Sequence, residues 1–292
     1  MKDSVYRYLL NGEVVVTAAS TKEIANTARE LHETFPVSTA VLGRTLTAAV
    51  LMASMFKESN DTLTISLNGG GPAGTVLATA NGACEVKGYM DNPHVDLPAK
   101  ENGQLDVGGA VGTEGFLTVV RDTGVGEPYI GRTPLVSGEV AEDLAMYFLQ
   151  SEQQPTIVYI NTWVDIDLTV LTAGGLIISP LPGATEETLS YIESCVPEIQ
   201  SYGMRLMQMT PDEAVRAIFP AATLKPIEML APAYVCDCSE ARFERGIIAL
   251  GEEEIKSMID EDGEAEVICR FCNKRYLFDR KKLQKLLEEA SK

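Results

Sequence analysis

The sequence predicts an α+β protein built from three consecutive parts. These are an N-terminal domain of antiparallel sheet with helices at residues 1–180, a helical linker at residues 181–233 and a small, cysteine-rich C-terminal domain at residues 234–292. Strand patterns with β-branched residues dominate the first part, and helical periodicity replaces them after about residue 180. Four of the six cysteines lie in the last 59 residues. So short a segment buries too little apolar surface to fold stably on its own without a cross-link.

The chain opens with a predicted β-hairpin. The segments VYRYLL and EVVVTAAS flank Asn11-Gly12, and this dipeptide supplies both left-handed residues of a tight type I′ turn. The first two elements are therefore expected to be antiparallel strands.

Two helices are predicted next. Ser20 is a candidate N-cap, and TKEIANTARELHET then places Ile24 and Leu31 on one face, which leaves His32 for the polar side. After Pro36, the segment VSTAVLGRTLTAAVLMASMFK predicts a longer and more buried helix. Its longest apolar run is shorter than the roughly 18 residues that a bilayer demands, so we expect no membrane span.

Antiparallel strands fill most of the remainder up to residue 180. DTLTISLN, GTVLATAN and CEVKGYMD predict a meander that GFLTVVRD extends, and TIVYINTWVDI and LTVLTAGGLIIS predict two later strands. Between these groups, SGEVAEDLAMYFLQSEQ predicts a helix with Leu144, Phe148 and Leu149 facing inward.

The connection GGGPAG matches the spacing of a dinucleotide-binding fingerprint at Gly69, Gly71 and Gly74. That fingerprint requires a helix to begin there, whereas the following TVLATA has a strand pattern, so a tight turn between strands is favoured. Sequences typical of a nucleotide-phosphate loop or of a hydrolase nucleophile are absent, and the chain has only two histidines. Nothing in these patterns predicts an enzyme.

The turn PLPG at 180–183 ends the strand-rich part. TEETLSYIESCVPEIQ and RLMQM have helical patterns, and Thr210 followed by Pro211 is typical of a capped helix start. The Pro- and Ala-rich FPAATLKPIEMLAPA predicts a connector. Three methionines in this region, Met204, Met207 and Met209, fit either a core or an adaptable surface for varied partners.

The C-terminal cysteines have the spacing of a metal site. Cys236 and Cys238 form a C-x-C pair, and thirty residues later Cys269 and Cys272 form a C-x-x-C pair with Asn273 available for a left-handed turn. Zinc prefers four tetrahedral ligands, and paired thiolates from tight turns supply them well. The sequence therefore predicts a C-terminal zinc-binding domain, whereas Cys84 and Cys195 are expected to be small buried hydrophobic residues.

Charge argues against anionic partners. The formal net charge is −18, so we expect binding neither to nucleic acid nor to an anionic membrane surface. A local basic cluster is an exception within this acidic chain, and two interpretations of it stay open, a balance for the thiolate charge or a nucleic-acid contact. The cluster contains Arg270, Lys274, Arg275, Arg280, Lys281 and Lys282.

The N-terminal segment MKDSVYRYLLNGEVVV lacks the apolar stretch and cleavage site of a secretory signal. We therefore expect a cytoplasmic protein with reduced thiols, in which paired cysteines bind metal rather than form permanent disulfides.

Several long strings carry a resemblance to a known family. They are STAVLGRTLTA, NGGGPAG followed by KGYMDNP, SGEVAEDLAMYFLQSEQQP, TAGGLIISPLPGA and EEEIKSMIDEDGEAEVICRFC. With the cysteine pairs, they make nearly the whole chain similar to the 33 kDa heat-shock chaperonin family, the redox-regulated bacterial holdases. Ser179-Pro180 departs from the family pattern, and Pro180 removes a backbone donor near the end of a strand.

The resemblance implies a function and a set of site residues. Cys236, Cys238, Cys269 and Cys272 would be both the ligands of one zinc ion per chain in the reduced form and the redox-active thiols. The oxidised form would capture unfolding client proteins without ATP and would dimerise. We expect oxidation to join Cys236 with Cys238 and Cys269 with Cys272, because sequence neighbours in a preformed cluster meet before distant residues do.

Two rival functions remain from the sequence. A constitutive zinc-ribbon adaptor would keep its metal and bind nucleic acid or a fixed protein partner. A thiol oxidoreductase acting through Cys269 and Cys272 is less favoured, because such a pair normally sits at a helix start in a thioredoxin-like pattern.

Overall fold

The computed structural model of the chain describes residues 2–165 and 167–290. It divides into two compact units, Met1–Val235 and Cys236–Lys292. Both units mix helices with strands that pair almost entirely antiparallel, which confirms the predicted α+β class. The predicted three-part boundaries at residues 180 and 233 stay a prediction.

The first unit contains two sheets and eight helices among the residues that the structure describes. Its strands are β1 (Ser4–Leu10), β2 (Val14–Ser20), β3 (Thr62–Asn68), β4 (Val76–Asn81), β5 (Glu85–Met90), β6 (Phe116–Asp122), β7 (Tyr129–Pro134), β8 (Ile157–Val164), β9 (Val170–Pro180), β10 (Leu224–Leu230) and β11 (Ala233–Tyr234). Its helices are α1 (Lys22–His32), α2 (Pro36–Ala53), α3 (Val107–Val111), α4 (Ala141–Ser151), α5 (Glu186–Ser194), α6 (Val196–Gln200), α7 (Tyr202–Arg205) and α8 (Pro211–Ile218).

The five-stranded sheet has the order β10-β1-β2-β9-β8, and all its neighbours are antiparallel. The predicted hairpin is confirmed, since Asn11 and Gly12 have φ values of 51° and 77°. Strand β9 includes Pro180, which pairs with Val14, so the proline does not shorten the strand.

The six-stranded sheet has the order β11-β5-β4-β3-β6-β7, and only the short β11–β5 pair is parallel. The predicted meander β3-β4-β5 is confirmed, and β6 extends it on the far side of β3. GGGPAG connects β3 to β4, which confirms a turn between strands rather than a nucleotide loop.

Helix α2 packs against strands of both sheets and is the centre of the first unit. Burial covers 16 of its 18 residues. By length and composition α2 could cross a membrane, but 89% of that stretch is buried inside the protein, as expected of the core helix of a globular fold. The buried position explains why its sequence is apolar on every side.

Helices α5 to α8 and strand β10 are built from the predicted linker. Residues of α5, α6 and α8 share an apolar core with β1, β2 and β9. The helix start at Pro211 is confirmed, because Thr210 and Glu213 form a reciprocal capping box. The predicted connector was wrong in one respect, since Leu224–Leu230 pairs with β1 as an outer strand.

Three local expectations were wrong. Helix α1 begins at Lys22 rather than after Ser20, and its N-cap residue, Thr21, makes no side-chain cap hydrogen bond. His32 is 8% exposed, and its Nε2 lies 3.0 Å from the carbonyl oxygen of Gly88. Leu149 is 52% exposed, and Tyr147 takes the expected inward position on α4.

The second unit contains α9 (Glu240–Leu250), α10 (Glu252–Glu261), β12 (Glu264–Ile268), β13 (Arg275–Asp279) and α11 (Arg280–Ala290). Strands β12 and β13 form an antiparallel hairpin. The core is small. Its buried apolar residues are Ile247, Ile255, Ile259, Tyr276, Phe278, Leu283 and Leu286.

Asp3 replaces the missing cap of α1 and generates a testable pH dependence. Its carboxylate accepts hydrogen bonds from the backbone N–H groups of Glu23 and Ile24 at 3.1 and 2.9 Å. Burial is the main reason that the pKa of Asp3 is raised from 3.8 to about 6. The carboxyl therefore stabilises the fold most below pH 3.8, and this contribution is lost as pH rises through 6.

We expect Asp3→Asn to remove this pH-dependent loss of stability, because asparagine does not ionise. Its amide oxygen can still accept hydrogen bonds from the first turn of α1. The free energy of unfolding of the variant should rise relative to the original protein by about 2–3 kcal/mol between about pH 4 and pH 7. Thermal unfolding followed by the fluorescence of Trp163, the single tryptophan, measures this. A difference that stays constant with pH would contradict the assignment.

Candidate metal centre

The hairpin β12–β13 presents the C-x-x-C pair. Cys269 and Lys274 are joined by a backbone hydrogen bond of 3.0 Å at the end of the ladder, and the N–H of Asn273 donates to the carbonyl of Cys269 at 2.8 Å. Asn273 has φ 55°, the left-handed conformation that was predicted. This tight loop turns Cys272 back beside Cys269, so both thiols project from one knuckle.

The C-x-C pair lies just before α9, in a segment without regular secondary structure. Cys236 and Cys238 nevertheless face one centre, because their Sγ atoms lie within 4.8 Å of those of the other pair. Ser239 then caps α9 by accepting from the N–H of Arg242, so the helix start fixes where this segment ends.

The four predicted cysteines meet in space. All four Sγ atoms lie within 4.8 Å of one another. The Sγ atoms of Cys236 and Cys269 are 3.7 Å apart, and those of Cys238 and Cys272 are 3.4 Å apart. Tetrahedral zinc with Zn–S bonds of about 2.3 Å requires sulfur–sulfur distances of about 3.8 Å. The donor set and its spacing therefore fit a zinc ion.

The thiols differ in their surroundings. Cys269 is 4% exposed, and the other three are half-buried. Burial raises the pKa of Cys236 and Cys272. Burial also opposes ionisation of Cys238, but hydrogen bonds from Tyr276 and the neighbouring thiols outweigh it and lower the pKa of Cys238 to about 7. Cys238 is therefore partly ionised near neutral pH.

Tyr276 is a neighbour of the candidate site that the sequence did not reveal. Its hydroxyl donates to Sγ of Cys238 at 3.2 Å, while its ring lies in the apolar core, 4.8 Å from the ring of Phe243. No spacing rule points to it. The alternation of β13, which buries Tyr276 and Phe278, was the only available signal.

The basic cluster shares its surface with acidic residues. Arg275 pairs with Glu266 at 3.3 Å, and Lys282 pairs with Glu240 at 2.5 Å. The ammonium of Lys274 lies 5.1 Å from the ring centre of Tyr276, close to the thiols. This distribution favours balance of the thiolate charge over a continuous anion-binding surface.

The other two cysteines lie outside the cluster, in the first unit. Cys84 is fully buried, and Cys195 is 7% exposed at the end of α5. Burial raises the pKa of Cys84 to about 12, so it is held as a neutral thiol. Met204 and Met207 are exposed by 62% and 43%, whereas Met209 packs against the core beside α8.

Comparison with known proteins places the chain in a family. The family model described as Hsp33 protein matches residues 3–279. The 33 kDa chaperonin of Alkaliphilus metalliredigens is 41% identical over 280 residues, covering 96% of each chain. The 33 kDa chaperonin of Clostridium perfringens strain SM101 is 43% identical over 295 residues, covering 100% of this chain and 93% of the relative.

A solved structure agrees with these sequence matches. The crystal structure of the 33 kDa chaperonin from Thermotoga maritima superposes with a TM-score of 0.90 at 33% identity, covering 99% of both chains. The match therefore extends over both units. The chain belongs to the Hsp33 family, whose members are named as chaperonins and not as enzymes.

Proposed function

We propose that the chain is a redox-regulated, ATP-independent chaperone of the holdase type. One zinc ion would be bound by Cys236, Cys238, Cys269 and Cys272 in the inactive, reduced form, and disulfides would replace it in the active form. The convergence of four Sγ atoms within 4.8 Å in a unit with a small core is the observation that carries this proposal.

The bound ion would supply the cross-link that the small unit lacks. In small zinc modules the binding free energy is folding free energy, roughly 10 kcal/mol or more. Seven buried apolar side chains are a modest core for the unit Cys236–Lys292, which gives it little stability of its own. Holding the cysteines as thiolates also keeps them in the form that oxidants attack.

Oxidation would dismantle the ligand set in two steps. Peroxide or hypochlorous acid converts one thiolate to a sulfenic acid, and a neighbouring thiol then displaces water to form a disulfide. We propose local pairing of Cys236 with Cys238 and of Cys269 with Cys272. The close contacts of the reduced cluster run across these pairs, at 3.7 and 3.4 Å, so the preference for neighbours would emerge as the cluster loosens.

Loss of this cross-link would unfold the C-terminal domain, residues 234–292, and loosen the linker, residues 181–233. Apolar and methionine-rich surface would then become available to unfolding client proteins. Met204 and Met207 are already exposed in this structure, and Met209, which packs against the core, would join them on such a surface. We further propose that the oxidised form is a homodimer and that the protein acts in the cytoplasm.

A thiol oxidoreductase is less well supported. Cys269 and Cys272 lie in a hairpin loop between β12 and β13 rather than at a helix N-terminus, where a C-x-x-C redox pair gains its reactivity.

The zinc assignment predicts a difference between cysteine variants. Cys269→Ser should lower the zinc content of the reduced protein sharply from one ion per chain, because it removes one of four ligands. Cys84→Ser should leave the zinc content unchanged, since that thiol lies in the other unit. Elemental analysis of both purified variants measures this, and equal zinc content would overturn the assignment.

Binding to nucleic acid should be undetectable at physiological salt. The net charge of −18 and the carboxylates that pair with Arg275 and Lys282 leave little attraction for phosphate. Fluorescence anisotropy with duplex DNA and RNA tests this. A salt-sensitive, sub-micromolar affinity would instead favour the zinc-ribbon adaptor.

The switch itself predicts coupled changes on oxidation. Peroxide should release zinc and lower the helical signal in far-UV circular dichroism. The oxidised protein should then suppress the aggregation of citrate synthase. Dithiothreitol with zinc should reverse all three changes. Mass-spectrometric mapping of the oxidised sample should find the two local disulfides. Cys195→Ser is the matched control and should switch normally.

Equal suppression of aggregation by the reduced, zinc-bound form would contradict the switch. The cysteines would then serve only as a structural cross-link. A disulfide between the two pairs, such as Cys236 with Cys269, would contradict the proposed pairing but would leave the proposed redox switch standing.

A further inference from the structure

Tyr276 lies where the two halves of the cysteine cluster meet. It follows Cys272 on β13, so it belongs to the same hairpin as the C-x-x-C pair. Its hydroxyl nevertheless reaches the other pair and donates to Sγ of Cys238 at 3.2 Å. Tyr276 is therefore a side chain from one half of the cluster that binds a thiol of the other half.

Packing holds the ring of Tyr276 in place. The residue is 7% exposed and belongs to the apolar core of the second unit. The centre of its ring lies 4.8 Å from that of Phe243, which α9 contributes. Helix α9 begins just after the C-x-C segment, so the ring also anchors the element that follows Cys238. A ring fixed in this way restricts where its hydroxyl can point.

Cys238 depends on such a contact more than the hairpin cysteines do. Its backbone lies in a segment without regular secondary structure, whereas backbone hydrogen bonds of the knuckle position Cys269. The Sγ of Cys238 contacts two groups of the hairpin, the Sγ of Cys272 at 3.4 Å and the hydroxyl of Tyr276. Thiolates, the form that binds metal, repel one another, but a hydroxyl donor attracts a thiolate. The tyrosine contact is thus the one that metal binding strengthens.

We propose that Tyr276 is a positioning residue of the metal centre, whose hydroxyl holds the Sγ of Cys238 in its ligand position. The inference rests on the proposed zinc binding by the four cysteines. A hydrogen bond donated to a coordinating sulfur fixes its orientation and draws charge from it, and loss of such an outer contact costs about 10- to 100-fold in metal affinity. One side chain would then set how firmly the C-terminal unit holds its metal.

Tyr276→Phe tests this inference, because it removes the hydroxyl and keeps the ring for the core. In the reduced full chain, competition with a fluorescent zinc chelator should show about tenfold weaker zinc affinity. Cobalt(II) bound in place of zinc gives a spectroscopic readout. Its thiolate-to-cobalt charge-transfer band should move to longer wavelength in the variant, since a sulfur without the hydrogen bond donates charge more readily.

Two further variants separate the hydrogen bond from packing. Phe243→Leu reduces the apolar contact with the ring but keeps the hydroxyl, so it should lower the melting temperature without moving the cobalt band. Tyr129→Phe is the matched control in the first unit, where that hydroxyl donates to the carbonyl oxygen of Ser151 at 3.2 Å. It should change neither the zinc affinity nor the band.

Equal zinc affinity and an unmoved cobalt band in Tyr276→Phe would overturn the inference. So would a loss of affinity with an unmoved band that Phe243→Leu shares, because the tyrosine would then act through core packing alone. These results leave the proposed function standing as long as the original chain binds one zinc ion. Failure of the original chain to bind zinc would overturn both.

Discussion

The near-complete burial of α2 between two sheets is the constraint on which the first unit depends. Strands of both sheets pack against this helix, so the helix must be apolar on nearly all sides and the strands must approach it closely. A Cβ on Gly88 would lie 3.0 Å from a methyl carbon of Leu46, and one on Gly175 equally close to Leu51. Threonines are tolerated in the buried helix because their hydroxyls, as at Thr45, donate to carbonyls one turn earlier.

The second unit depends instead on a contact between its small apolar core and its cysteine cluster. Its apolar core is small, and its two cysteine pairs enter from separate elements, the segment before α9 and the β12–β13 knuckle. Tyr276 links these features, because its ring belongs to the core while its hydroxyl binds the Sγ of Cys238. Any change in the bonding of Cys238 therefore reaches the core through one side chain. This is a short physical route from thiol chemistry to folding.

Basic side chains lie at specific places in both units, although the whole chain is acidic. Near the thiols, basic side chains such as Lys274 offset the charge that four thiolates would carry. In the first unit, Arg44 and Lys100 converge on Glu139, so two cations balance one partly buried carboxylate. Both arrangements depend on local geometry, which the net charge of −18 does not indicate.

The sequence by itself determined the fold class, most strands and helices, and the four cysteines of the candidate site, because these depend on local periodicity, turn residues and spacing. Contacts between distant residues were decided only by the tertiary structure. Asp3 caps α1 across a β-hairpin, Tyr276 reaches Cys238 from another element, and His32 turns inward toward Gly88. Strand β10 was missed for the same reason, since pairing with β1 rather than its own composition makes it a strand.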